Sequence, residues 1–235
     1  PKADPRRQPK PCSPPFRGDT RSRSLKAMRK IVVHSAGPYR QLKYETHQDL
    51  TAPEDGVVIA VEAIGVNYAD CMVRMGLYDS AKEYVGWPIT PGFEVVGRVK
   101  HVGSAVDDLS VGDPVLALTR FDGYATEVAV QRPYAFPIPE GFSVQEAAGY
   151  PVVFLTAYYA LFELAHPREG AKVLIHSAAG GVGGALVQLA HVAGCEVTAV
   201  VGASHKVNTV RKLNAAHVID KSKTDLWSAA QRIAP

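Results

Sequence analysis

The tightest constraint on this chain is a single junction. Lys172-Val173-Leu174-Ile175-His176 is a near-continuous apolar run, and Ala178-Ala179-Gly180-Gly181-Val182-Gly183 begins one residue later. Such a run suits a strand buried on both faces of a parallel sheet. The segment after the turn, Gly184–Ala193, places apolar residues at Leu186, Val187, Leu189 and Ala190 and reads as a helix. Strand, glycine-rich turn and helix in that order make a phosphate-binding geometry. Gly180 lets the backbone approach a pyrophosphate, Gly183 lets the helix pack closely on the strand, and the helix N-terminus offers free N–H groups. Ala178 stands where the fingerprint usually has its first glycine, so the turn there must be one that an L-residue can adopt.

Two further strand–helix units come next. Glu196–Val201 and His217–Ile219 read as strands, and His205–Leu213 and Asp225–Ile233 as helices. A doubly wound nucleotide domain has about six strands, so the expectation is a Rossmann-type parallel sheet over 151–235 that is incomplete at its C-terminal end. A sheet cut at that point would expose a hydrophobic strand edge and be unstable by itself.

The N-terminal half has a different texture. Lys30–His34, Val57–Ala63, Phe93–Val102 (with Gly97 as a bend), Val115–Leu118 and Ala125–Val130 read as short strands. Turn formers such as Val111-Gly112-Asp113-Pro114 and Asp122-Gly123 separate them. Many short strands with such punctuation point to an antiparallel barrel or sandwich over 27–150. Ser143-Val144-Gln145-Glu146 has the capping-box form, Pro151 starts or breaks a helix, and Val152–Leu164 is apolar enough to be a buried one.

Charge is unevenly spread. The 235-residue chain is +3 overall, yet residues 1–30 hold ten Lys/Arg against two Asp. Residues 1–26 are Pro/Arg/Ser-rich, without apolar periodicity, and read as a disordered basic tail. A tail of this kind can attach to acidic lipid; no reader of nucleic acid is indicated. Cys12, Cys71 and Cys195 are widely spaced, with no CxxC pair and no metal-ligand spacing, which suits a reducing cytoplasm. There is no apolar run long enough to span a membrane.

Cofactor choice is read just past the second strand. An NAD site places an acid there for the ribose 2′-hydroxyl. The segment instead reads Gly202-Ala203-Ser204-His205-Lys206. A hydroxyl and a cation suit a 2′-phosphate, which a carboxylate would repel, so the expected cofactor is NADPH. The residues alone also allow Lys206 to be a solvated helix-start residue.

Five motifs in order are then recognisable: Gly65-Val66-Asn67-Tyr68-Ala69-Asp70, Arg74-Met75-Gly76-Leu77-Tyr78, Pro91-Gly92-Phe93-Glu94-Val95-Val96-Gly97, Gly112-Asp113-Pro114-Val115 and the loop Ala178–Gly183. Together they resemble the medium-chain dehydrogenase/reductase superfamily, in the quinone oxidoreductase branch that includes the VAT-1-like proteins. The resemblance implies an α/β plus β architecture, with a GroES-like β-barrel domain followed by a Rossmann domain and the active site between them. It implies NADPH-dependent hydride transfer to a quinone or an α,β-unsaturated carbonyl, and a homodimer for the full-length protein. It places Asn67, Asp70 and Tyr78 at the reacting end. Thr156, Tyr159, Ala179, Gly180, Gly181, Val182, Gly183, Gly202, Ser204, Lys206 and Lys221 fall along the cofactor, Lys221 standing where relatives often have a tyrosine. Zinc-dependent members carry Gly-His-Glu; here Gly92-Phe93-Glu94 stands instead, and Phe93 cannot ligate a metal, so the implied chemistry uses no zinc. As residues, Asn67 also suits a turn, Asp70 a helix terminus and Tyr78 a core. The alternatives are a non-enzymatic, NADPH-binding, VAT-1-like membrane-associated protein, or an inactive fragment.

Overall fold

The computed structural model describes residues 27–234; the basic tail expected at 1–26 lies outside the described residues. β1 (Met28–Val33) and β2 (Leu42–His47) form an antiparallel hairpin. β2 is invisible in the sequence because its side chains, LKYETH, are mostly polar and mostly exposed. Isolated bridges from Lys30 to Ala125 and from Val33 to Ile89 tie β1 to the loops that flank the main sheet.

Five strands make the N-terminal sheet: β3 (Gly56–Ile64), β4 (Glu94–Val102), β5 (Pro114–Leu118), β6 (Glu127–Gln131) and β7 (Ala135–Pro137). Every pairing is antiparallel, in the order β6-β3-β4-β5-β7. The expected barrel is thus an open half-barrel whose edges are β6 and β7. Alternation along β3, β4 and β5 sends Val57, Ile59, Val95, Val99, Val115 and Ala117 into one core. Val96 and Leu116, on the opposite face, meet Ala147 and Ala148 of α3 (Val144–Ala148). The capping box expected at Ser143 is present: Glu146 N donates to Ser143 Oγ, and Ser143 N donates to Glu146 Oε2.

Gly97 sits where β3 shifts register against β4, between Val61 and Ala63. A Cβ there would come within 2.0 Å of the Ala60 carbonyl oxygen. The expected bend is therefore a bulge in the partner strand, and only a residue without a side chain fits opposite it.

Between β3 and β4 lie α1 (Tyr68–Arg74) and α2 (Asp79–Tyr84). After α3 comes α4 (Pro151–Tyr158), which continues as a π-helical segment over Tyr159–Ala165. Pro151 is its first helical residue, where a missing N–H is harmless. The helix expected at 152–164 exists, but its expected burial does not. Pro151, Ala157 and Leu161 are enclosed, while Leu155, Tyr158, Tyr159 and Leu164 are 50–64% exposed. A helix apolar on every side gives no pattern from which to tell its packed face.

The C-terminal part alternates β8 (Lys172–Ile175), α5 (Gly181–Val192), β9 (Glu196–Val201), α6 (Val207–Lys212), β10 (His217–Asp220) and α7 (Leu226–Ile233). The strands are parallel, in the order β10-β9-β8. Val197, Ala199 and Val201 face one core and Val200 the other, so β9 is covered on both faces. β8, expected to be buried on both faces, is an edge strand of this sheet: Lys172 and Leu174 are exposed. No helix among the described residues is long and apolar enough to cross a membrane.

Gly97→Ala should lower stability by about 2–3 kcal/mol, because a backbone oxygen must move to admit the methyl group. Urea unfolding measures this; a loss under about 0.5 kcal/mol would mean that the bulge yields freely.

Candidate functional site

The site grows from the turn between β3 and α1. Asn67 is the N-cap of α1, and Asp70, at the third helical position, reaches back so that Asn67 N donates to its Oδ2 (2.8 Å). The Asn67 side chain also reaches across to β4. Its Nδ2 donates to Glu94 Oε1 at 2.8 Å. Asp70 also accepts from Gly92 N (2.9 Å, Oδ1) and from the Tyr124 hydroxyl (3.0 Å, Oδ2). One carboxylate thereby fixes the helix start, the loop leading into Glu94 and the turn after Asp122-Gly123.

Glu94 opens β4 and is 1% exposed. Its second oxygen, Oε2, accepts from Val152 N at 2.7 Å, one of the free N–H groups at the start of α4. Burial pushes the Glu94 carboxyl above the ordinary carboxylate range, against the pull of the Val152 and Asn67 hydrogen bonds, and nearby Asp70 adds to the rise. Burial likewise raises Asp70, opposed by its bonds from Asn67, Tyr124 and Gly92. Burial and the adjoining Asp70 charge push the Tyr124 phenol up.

Tyr78 is placed differently. It caps α2, and its ring stacks at a tilt on Phe93 (centroids 5.6 Å apart) and edge-on to Phe121 (6.4 Å). These rings adjoin the small core around Val33, Val73 and Ile89. Tyr78 thus belongs to this aromatic core, and no hydrogen bond among the described residues links it to Asn67, Asp70 or Glu94.

The second half of the site lies at the carboxyl end of β8. The left-handed residue of the turn is Ser177 (φ 50°), so Ala178 is relieved of that conformation and is fully buried. Gly180 N donates to Ser177 O (2.8 Å), and intrahelical bonding starts with Gly184 N on Gly180 O (2.7 Å). Gly181, Val182 and Gly183 form the first turn of the 12-residue α5, whose N–H groups have no partner within the helix. Gly183 is required by packing, since a Cβ would lie 2.3 Å from Ser177 O. Ala179 is partly buried against the core.

Helix α4 spans the two halves. Val152 is bonded to Glu94, and the adjacent Val153 is so close to the loop that a Cβ on Gly181 would meet its Cγ1 at 2.9 Å. Thr156 and Tyr159 are exposed further along; Thr156 Oγ1 donates to Val152 O at 2.7 Å. The ends of this bridge are visible in the sequence, whereas its joints, Glu94 and Val152, are not.

Gly202, Ser204, Lys206 and Lys221 gather at the carboxyl ends of β9 and β10, all exposed. A Cβ on Gly202 would have open space around it. Asp220 adds an acid that linear spacing does not place here: Ser204 Oγ donates to its Oδ2 at 2.6 Å, while Ser222 N and Oγ donate to its Oδ1. These serine bonds hold the Asp220 carboxyl below its ordinary value. The signal for Asp220 is spatial, because parallel neighbours end side by side however far apart they are in sequence.

Raised folded values mean that, between the ordinary carboxylate range and those values, Glu94 and Asp70 hold protons the unfolded chain has released. Their contribution to stability is complete below the ordinary carboxylate range and is lost as pH rises through their raised values. Relative to wild type, Glu94→Gln should therefore gain stability progressively across that window and level off above it. Urea melts of both proteins at a series of pH values measure the difference; a flat difference would show that burial does not raise Glu94.

The alcohol dehydrogenase GroES-like domain family matches residues 53–150, and the zinc-binding dehydrogenase family matches residues 181–234. The synaptic vesicle membrane protein VAT-1 homolog of Danio rerio is 36% identical over 208 residues, which are 88% of this chain and 42% of the relative. The chain thus spans about half the length of the curated VAT-1 relatives it matches. Among solved structures, the CurK enoyl reductase superposes with a TM-score of 0.78 at 34% identity, over 85% of this chain and 61% of that one. Escherichia coli quinone oxidoreductase complexed with NADPH gives 0.79 at 28% identity, over 87% and 62%. With a GroES-like sheet, a Rossmann-type sheet and their linking helix in this order, the chain belongs to the medium-chain dehydrogenase/reductase superfamily, in the branch of the VAT-1-like proteins and quinone oxidoreductases.

Proposed function

We propose that the chain carries the cofactor-binding and hydride-transfer site of an NADPH-dependent oxidoreductase that reduces a quinone or an α,β-unsaturated carbonyl without zinc. The observation that carries this reading is the loop at the carboxyl end of β8. Its first-turn N–H groups are free, its backbone is bare of side chains at Gly180 and Gly181, and it opens a full-length helix whose positive end suits a pyrophosphate. These residues fit a dinucleotide. The relatives add support, since one solved neighbour is a quinone oxidoreductase complexed with NADPH and another an enoyl reductase.

In this reading Gly181, Val182 and Gly183 bind the pyrophosphate, while Gly202, Ser204, Lys206 and Lys221 surround the adenosine 2′-phosphate. Thr156 and Tyr159 line the path between phosphate loop and reacting end. When bound, NADPH supplies a hydride from its nicotinamide ring. Asn67 gives one N–H to Glu94 and keeps its second N–H for cofactor or substrate. That N–H can stabilise negative charge developing on the acceptor oxygen. Asp70 fixes the Asn67 backbone, and the Tyr78, Phe93 and Phe121 rings keep water from the wall behind it. Phe93 has no lone pair for a metal, and both Glu94 oxygens are occupied by N–H donors. The proton that completes reduction of a quinone comes from solvent.

Steady-state oxidation of NADPH by the full-length protein, with quinone and enone acceptors, is the direct test. Turnover with either class is expected; no consumption of NADPH with any acceptor would sink the reading.

Asp220 should oppose the 2′-phosphate through its charge. Asp220→Asn should strengthen NADPH binding about 3-fold relative to NADH, the order expected of one charge about 7 Å away in water-like surroundings. Fluorescence titration with both nucleotides reads the ratio. An unchanged ratio would place the 2′-phosphate away from Asp220.

A further inference from the structure

Glu94 is enclosed more completely than any other charged residue among those described, and both of its oxygens are engaged by partners from different parts of the chain. Oε1 takes Asn67 Nδ2, from the turn after β3; Oε2 takes Val152 N, at the start of α4. Space for the carboxylate is reserved by a neighbour. A Cβ on Gly65 would lie 2.1 Å from Glu94 Oε1 and 2.4 Å from the Ala148 carbonyl. The arrangement goes beyond what capping requires, because an exposed helix start can be capped by water or a surface serine. Here the cap is a buried carboxylate, whose burial is costly unless donors surround it.

An ionised carboxylate only accepts hydrogen bonds. Facing Glu94, the Asn67 amide must present its N–H₂ side inward, so its carbonyl oxygen and second N–H are turned elsewhere in one orientation. Resting on the function proposed for this site, we propose that Glu94 is a positioning residue: it selects the orientation of the Asn67 amide at the reacting end and locks that amide to the start of α4, the helix whose next residue, Val153, abuts the phosphate loop. The reacting end and the loop are then registered through three links: Asn67 to Glu94, Glu94 to Val152, and Val153 to Gly181.

A glutamine at this position separates orientation from support. Its carbonyl can still accept from Val152 N, but its N–H₂ then faces Asn67, whose amide must turn over to offer oxygen. Nuclear magnetic resonance of the 235-residue chain without nucleotide reads both effects. Val152 amide exchange reports the support, and the Asn67 side-chain N–H₂ resonances report the orientation. Glu94→Ala should speed Val152 exchange about tenfold or more, the order expected on losing a hydrogen bond to a charged acceptor. Glu94→Gln should keep that exchange within about 3-fold of wild type, by the same measure of a retained bond, and yet shift the Asn67 side-chain resonances away from their carboxylate-bound positions. A merely structural glutamate would leave the Asn67 resonances of Glu94→Gln unmoved, and that result overturns the proposal. If Glu94→Ala fails to fold, Glu94→Gln alone decides. Separate titration of wild type with NADPH tests the proposed function: absence of binding would fail that function, whereas the nucleotide-free spectra judge the positioning role.

Discussion

A buried carboxylate is unfavourable unless donors surround it, and in this chain that burden falls on one residue that three segments share. Glu94 stands on the central strand of the half-barrel and holds the turn that begins α1 and the turn that begins α4. Each bond is charge-assisted, of a kind that contributes about 1.5–3 kcal/mol. Together they oppose, without cancelling, the desolvation that pushes the group's proton affinity upward. Position follows from chemistry. The half-barrel cannot shift against the helix without stripping a partner from a charge that water does not reach. Asp70 repeats the device nearby, tying α1 to Gly92 and Tyr124. The turn that begins α1 therefore rests on two buried acids, each held by donors and neither paired with a basic side chain among the described residues.

The phosphate loop is organised in the opposite way, since its polar groups are left free. Helix α5 begins with three small or exposed residues whose N–H groups lack partners in the helix, and the turn before it places its left-handed residue at Ser177. Tight packing at Gly183 presses this helix onto β8 and aims its positive end past the strand. Beyond β9 the balance is mixed. Lys206 and Lys221 extend into solvent, but Ser204 is bonded to Asp220. In the function proposed for the chain, a 2′-phosphate at this corner would have to compete with Asp220 for the Ser204 hydroxyl.

Legibility in the sequence divides along the same line. Local geometry was legible: the Ser143 capping box, Pro151 at a helix start, the boundaries of β9 and the glycine loop all depend on nearest neighbours. Asn67 was singled out too, though only through resemblance, and what the structure adds is its hydrogen bond to Glu94. Long-range partners were not legible. Glu94 carried one available clue, a lone acid followed at once by Val95 and Val96 on a strand whose first four residues are all buried. An acid in such a setting must find donors, but nothing local names Val152, 58 positions away, as one of them. Asp220 was hidden for the same reason, and β2 because a polar edge hairpin carries no apolar alternation.

The exposed face of α4 shows why these long-range contacts matter more than composition. By its residues the helix should sink into a core, yet Leu155 and Tyr158 stand at least half exposed. They border an apolar hollow of about 360 Å³ with Leu116, Phe136, Tyr150 and Phe154. Burial alone would roll the helix to cover these side chains. It is held instead at its first turn by Glu94, at Val153 by the phosphate loop and at Ala157 and Leu161 by the core. A rotation that buried Leu155 would carry Val152 N away from the carboxylate and Val153 away from Gly181. The orientation of the helix is thus fixed by specific contacts at the site and in the core rather than by the distribution of its apolar residues.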